Sequence, residues 1–220
     1  MTRLIDLSHV IRAGLVTYAG LPAPIVTPHL TREESKKVYA DGVEFQMDIV
    51  TMIGNTGTYL DSPFHRYEGG ADLAALPLET LVDQPTEVFH LEGAPHRGIG
   101  AEVFRNRNVA GKAVLLHTGW SRFFEKESYT VEAPFLTGTA AEYLVEQRVT
   151  LVGIDSVNID DMESGGERPA HSVLLAAGIH IVEHLTGLDQ LPESGSTFTA
   201  VPPRFEGFGT FPVRAYARIG

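Results

Sequence analysis

Apolar and polar positions alternate from Val43 through Phe45, Met47 and Ile49, with Glu44, Gln46 and Asp48 between them. That period of two predicts a strand with one buried face, running straight into the segment that begins at Asn55. Two wholly apolar runs, Ala113-Val-Leu-Leu116 and Leu151-Val-Gly-Ile154, predict central strands covered on both faces, with His117 and Asp155 at their ends. Thr139-Ala-Ala-Glu142 has the form of a helix capping box, so a helix through Arg148 is expected to connect those strands. A second short helix is expected over Ala170 to Ala177, stopped by Gly178. Val213, Ala215, Ala217 and Ile219 alternate with Arg214, Tyr216 and Arg218 in a final strand. The elements describe an α/β protein with a mixed sheet.

Gly178 precedes Ile179-His-Ile-Val-Glu183-His-Leu185. If this is a strand, Ile179, Ile181, Glu183 and Leu185 share one face and Glu183 points into the core. A buried carboxylate costs several kcal/mol unless it meets a donor, a cation or a metal ion. The alternative is a strand ending at Val182, with Glu183 in water. His180-Ile-Val-Glu183-His184 also matches the H-x-x-E-H pattern of inverted zinc proteases. That pattern requires a helix, whereas β-branched residues after a helix-stopping glycine favour a strand. On a strand, residues four apart lie about 13 Å from each other, too far to share an ion. His180 and His184 are therefore expected to be ordinary half-exposed residues.

The 220 residues, 43% hydrophobic, suffice for one substantial core and are taken as a single domain over 1–220. Without cysteine there is no disulfide framework, thiolate zinc site or cysteine nucleophile, which fits a cytoplasmic protein. The opening MTRLIDLSHVIRAG lacks the pattern of a secretory signal, and no run approaches a membrane span. The expectation is a soluble, unprocessed chain. A net charge of −11, from 28 acids against 17 bases, argues against a nucleic-acid partner.

Candidate chemistry concentrates in Asn55-Thr-Gly-Thr-Tyr-Leu-Asp61-Ser-Pro63-Phe-His65. Gly57 lets backbone pass where a side chain could not, and Pro63 fixes its own φ and holds Ser62 extended. Asp61 and His65 are thereby presented from a stiff segment, as an acid and a base for chemistry must be. Taken singly, Asp61 is better read as a turn aspartate, and His171 as a packed histidine at a helix start. A serine-hydrolase elbow, a P-loop and a dinucleotide-binding turn are all missing.

Together, Ile5-Asp-Leu-Ser-His9, Tyr18-Ala-Gly20, Gly57-Thr-x-x-Asp61-x-Pro63-x-His65, Thr118-Gly-Trp120, Gly153-Ile-Asp155, Pro169-Ala-His171 and Ile181-Val-Glu183 run in order along most of the chain. In these segments it resembles the cyclase superfamily of metal-dependent hydrolases, the family of bacterial kynurenine formamidases and isatin hydrolases. The resemblance implies a swivelling β/β/α fold with a mixed, barrel-like central sheet, assembled as homodimers or homotetramers. It also implies metal ligation by Asp61, His171 and Glu183, and acid/base work by His65. The family motif H-x-G-T-H-x-D-x-P-x-H is broken twice, because Asn55 and Tyr59 stand at its two metal-binding histidines. An amide and a phenol replace imidazole poorly on zinc, so the expected count is one divalent ion, zinc or manganese, or none.

The implied activity is hydrolysis or cyclisation of a small carbonyl compound at an amide, formamide or lactam C–N bond, as in arylformamidases. Tyr59 has three readings: a packing ring, a donor to a substrate carbonyl or a phenolate ligand. Asn55, Phe64, Tyr18 and Trp120 are expected to contact substrate. Two other readings stay open, a metal-independent cyclase or dehydratase using His65 with Tyr59, and a lapsed relative that only binds a small ligand.

Overall fold

The computed structural model describes residues 2–220. In chain order its strands are β1 (Arg3–Asp6), β2 (Ile25–Leu30), β3 (Met47–Thr51), β4 (Tyr59–Asp61), β5 (Gln84–His90), β6 (Gly98–Ile99), β7 (Ala113–His117), β8 (Phe135–Leu136), β9 (Leu151–Ile154), β10 (His180–Glu183), β11 (Ser194–Thr199), β12 (Thr210–Pro212) and β13 (Tyr216–Ile219). The α-helices are α1 (Arg32–Ser35), α2 (Gly138–Glu146) and α3 (Pro169–Ala176). Nine strands form one sheet in the order β1-β13-β11-β5-β7-β9-β10-β4-β12, curled into a half-barrel. β5, β7, β9 and β10 run parallel at its centre. The flanking pairs are antiparallel. This is the mixed, cyclase-like sheet expected above.

Period-two geometry explains the two cores. Ala113 and Leu115 of β7 join one apolar cluster with Val88, Val182, Leu185 and Phe198, inside the curl. Val114 and Leu116 join the other, with Val152, Ile154, Ile181 and the helix residues Leu144 and Leu174. Both faces of the central strands are covered, as continuous apolar runs require. Each fully buried Leu or Val contributes about 1.5–3 kcal/mol, so these short strands carry much of the stability.

α2 connects β7 to β9, but its N-cap is Thr137, whose Oγ1 accepts the Ala140 N–H at 3.2 Å, two positions before the expected box. It ends at Glu146, and Arg148 already lies at φ 58°, which no helix continues through. α3 starts with Pro169 at its first position and is followed by Gly178 at φ 76°, the expected stop. Val213 and Ala215 precede β13 yet share the inner cluster with Ala217, so the alternation at the C-terminal end is realised.

Two expectations are corrected. The Val43–Ile49 alternation yields a strand only from Met47, and that strand pairs with β2 in a separate two-stranded ribbon whose β3 residues are all exposed. Among the described residues, no element covers it. His180 and His184 are buried, not half-exposed, because β10 is covered on both faces. Leu185 departs from the face of Ile181 and Glu183: His184 adopts φ 55°, which breaks the alternation and turns Leu185 into the inner cluster. Among the described residues, no helix is long and apolar enough to cross a membrane.

Candidate active site

β4 is three residues long and lies between β10 and β12, antiparallel to both. Its register sets Tyr59 opposite Glu183 and Thr210 opposite Asp61. Leu60 points into the inner cluster, so Tyr59 and Asp61 face the helix side, where α3 presents His171. Cross-strand neighbours on one face lie about 5 Å apart, and a long-range cluster of ionisable groups follows from this pairing. Gly209 makes room for it, since a Cβ there would collide with the backbone of His65.

Asp61 is wholly buried. Thr210 Oγ1 donates to its Oδ1, so the same hydroxyl must accept from His65 Nδ1–H at 2.7 Å. His65 Nε2 is left with its lone pair, on a ring about a third exposed. Asp61 Oδ2 has no hydrogen-bond partner and lies 3.5 Å from His171 Nε2, which is 3.7 Å from Glu183 Oε1. Ligand atoms of Asp61, His65 and His171 all lie within 4.8 Å of one another. An orphaned carboxylate oxygen facing imidazole nitrogens fits a divalent cation, and the O and N donors suit zinc or manganese.

His171 is held by a residue that sequence reading missed. Asp160 Oδ2 accepts its Nδ1–H at 2.7 Å and its backbone N–H at 3.0 Å, while Oδ1 accepts the Ala170 N–H. The carboxylate thus fixes the ring and turns Nε2 into the site. Burial alone would lower the His171 imidazole, but Asp160, Asp61 and Glu183 outweigh it and raise it to about 10. The cluster of carboxylates demands positive charge. For Asp61, burial acts upward, yet His171, His65 and Thr210 together hold the carboxyl below its ordinary value.

Glu183 is buried, which decides between the two readings of its strand. Tyr59 Oη donates to its Oε2 at 2.6 Å and the Ile159 N–H to its Oε1 at 2.6 Å. Burial raises this carboxyl to about 7, with His171 opposing and Asp61 reinforcing the shift. The Tyr59 phenol is pushed well above 10 by burial and by the charges of Glu183 and Asp61, so it remains a neutral donor. Behind it, His184 Nε2 reaches Tyr59 Oη at 3.3 Å and His184 Nδ1 reaches Tyr129 Oη at 2.8 Å. Since Tyr59 spends its proton on Glu183, His184 donates from Nε2 and accepts from Tyr129.

Above this floor opens a cleft of about 260 Å³ lined by Tyr18, Asn55, Tyr59, His65, Arg66, Asn158, Met162, Arg168, His171 and Glu183. Two expected substrate contacts are absent from it. Phe64 is half-buried in the turn after Pro63, and its N–H is tied to Ala71 O. Trp120 donates from Nε1 to Tyr129 O at 2.8 Å, packs at a tilt against Phe123 and lines a neighbouring hollow with Leu91 and Arg97. Sequence signals for the unforeseen members exist in part: Arg66 follows His65 directly, and Arg168 is a cation immediately before a helix-starting proline.

The family model described as "Putative cyclase" matches residues 5–161. This chain belongs to the cyclase family. Within the family it is 31% identical to a kynurenine formamidase of Geobacillus thermodenitrificans over 171 residues, 77% of this chain and 78% of the relative. A solved structure described as a potential metal-dependent hydrolase with cyclase activity superposes with a TM-score of 0.80 at 27% identity, covering 100% of this chain and 99% of that one. Isatin hydrolase A from Labrenzia aggregata shares the fold, with a TM-score of 0.86 at 20% identity over 99% of this chain and 94% of the other.

Proposed function

We propose that this cyclase-family member is a metal-dependent hydrolase of a small amide, formamide or lactam C–N bond. The observation that carries the reading is the unpartnered Asp61 Oδ2 facing His171 Nε2 at 3.5 Å, beneath a small cleft. The names of its relatives, a kynurenine formamidase and a potential metal-dependent hydrolase, support it.

Asp61, His171 and Glu183 would hold one divalent ion, zinc or manganese. Bound there, such an ion supplies Lewis acidity for a carbonyl and lowers the pKa of water. His65, with Nε2 free, takes a proton from the attacking water and returns it to the leaving nitrogen as the C–N bond breaks. The products are a carboxylate and an amine. Asn55, on the cleft wall, donates to the carbonyl oxygen as negative charge develops. Tyr59 keeps Glu183 in place and gives its proton to no substrate, which disfavours a metal-independent His65–Tyr59 pair.

The test is metal content alongside turnover for wild type, His65→Ala and His171→Ala. His65→Ala is expected to retain the ion and lose turnover about 10²–10⁴-fold, and His171→Ala to lose both. Full wild-type turnover after exhaustive chelation would overturn the mechanism. Loss of the ion in His65→Ala would make His65 a ligand instead of the acid/base group. No turnover of any formamide, lactam or lactone, with ligand binding that survives His65→Ala, would favour a lapsed binding protein.

A second copy is proposed as the cover of the β2–β3 ribbon, giving a homodimer or homotetramer. Ile25, Val26, Met47, Ile49 and Val50 expose between 43% and 59% of their surface on it. By the register of the ribbon Ile25, Met47 and Ile49 share one face and Val26 and Val50 the other, and exposed apolar surface of this kind marks an interface.

A further inference from the structure

The floor and the mouth of the cleft carry opposite charge. Asp61 and Glu183 lie at its base, both essentially inaccessible, in a protein of net charge −11. At the wall and mouth stand Arg66 and Arg168, and neither forms an ion pair with a carboxylate among the described residues. Arg97, in the neighbouring hollow, shows the contrast: it is neutralised by Asp161 at 2.7 Å and Glu163 at 3.0 Å.

Arg168 Nη1 ties down the 161–167 loop, donating to Glu167 O at 2.8 Å and to Asp161 O and Ser164 Oγ at 3.4 Å, whereas Nη2 meets only Met162 Sδ at 3.9 Å. The residue stands at the N-cap position of α3, where the helix dipole disfavours a cation. Loop anchoring occupies one end of the guanidinium and leaves Nη2 and the positive charge without a counter-ion. Arg66 has one long contact, from Nε to Ser172 Oγ at 3.4 Å, and its guanidinium lies over the Tyr67 ring. Two guanidinium groups without counter-ions line one small cleft, and a guanidinium is suited to bind a carboxylate or similar oxyanion.

We propose that Arg66 and Arg168 form an anion subsite at the mouth of the cleft, so that the substrate is a small amide bearing a carboxylate or comparable anion remote from its scissile bond. The inference rests on the amide-hydrolase reading above for the word amide, and on the arginines alone for the anion. It also sets the direction of entry. The anionic end stays at the mouth, the apolar middle lies along Tyr18 and Met162, and the carbonyl reaches His65 and His171.

The test has a binding arm and a turnover arm, both on the metal-loaded enzyme. Benzenesulfonate, a poor metal ligand, is titrated by calorimetry against wild type, Arg66→Gln, Arg168→Gln and the double variant. Each single variant is expected to weaken binding about tenfold or more, the scale of one charge-assisted hydrogen bond. In the turnover arm, the ratio of kcat/KM for 4-formamidobenzoate over formanilide is expected to exceed ten in wild type and fall toward one in the double variant, mainly through KM.

Arg66 is exposed, so its variant keeps the test valid should Arg168→Gln disturb the loop. Wild type that binds benzenesulfonate no tighter than the double variant overturns the subsite, as does a substrate ratio that survives both substitutions. Sulfonate binding lost in the variants, with neither formamide hydrolysed, supports the subsite and removes the amide-hydrolase reading instead.

Discussion

Asp160 accepts the Nδ1–H of His171 at 2.7 Å and caps, with the same carboxylate, the two backbone N–H groups that open helix α3. One side chain therefore orients a proposed ligand and stabilises the element that bears it. Asp160→Asn keeps the volume but sets an amide against three donors. Metal affinity is expected to fall about 10–100-fold, and stability by about 1–2 kcal/mol. Competition with a chelating dye reads the first and urea unfolding the second. A stability loss with unchanged affinity would leave Asp160 as a helix cap only.

Metal binding and protonation should be linked. With its imidazole raised to about 10, His171 carries a proton at neutral pH until a divalent ion displaces it. Apparent affinity is then expected to rise with pH, by about tenfold per unit for one displaced proton, up to about pH 10. Calorimetry in two buffers of different ionisation enthalpy counts the protons released per ion. A count of zero would contradict the charge state assigned to the site.

His180 should make the protein acid-sensitive. Thr80 Oγ1 donates to Pro77 O, so it accepts from His180 Nε2 at 2.9 Å, and the buried Nδ1 has no partner. Burial lowers this imidazole from 6.5 to about 4. The unfolded chain thus binds a proton between those values that the folded chain does not. Stability is expected to be intact above pH 6.5 and to fall between pH 6.5 and 4, by an amount approaching about 3 kcal/mol from this residue. His9 and His184 are lowered by burial too, to about 4 and about 3, so His180→Gln should remove only its own share of the slope in denaturant unfolding at a series of pH values. A His180 ring that titrates near 6.5 by NMR would refute the assignment.

If a second copy covers the β2–β3 ribbon, Ile49→Lys should lower the mass in sedimentation equilibrium while circular dichroism stays the same. A wild-type chain that is monomeric at micromolar concentration would rule the assembly out.

The parallel strands are readable from residues alone because both of their faces are buried, and Ala113–Leu116 and Leu151–Ile154 are accordingly apolar throughout. Asp61 and His171 are readable as site residues only through family spacing, since each has an ordinary turn or packing explanation in isolation, whereas strand alternation already points Glu183 into the core as one of two readings. β4 escapes notice for a different reason. Three residues are too few to show a period, so a strand between two partners looks like a loop. Asp160 lies eleven positions from His171, and nothing local announces the contact that the fold creates. The ribbon misleads in the opposite direction: its alternation is genuine, but the surface it is patterned for is not supplied by this chain.

The Thr210 to Asp61 hydrogen bond spans 149 positions, and the Tyr59 to Glu183 bond spans 124. On the ribosome, Asp61 and His65 emerge early and must wait for almost all of the remaining chain before their partner hydroxyl exists. Closing such long loops is slow, which places the reactive centre among the last parts of the molecule to form. A nascent chain that has not passed Thr210 lacks the hydroxyl that links Asp61 to His65, so the pair is complete only when the strand at the far edge of the sheet has been added.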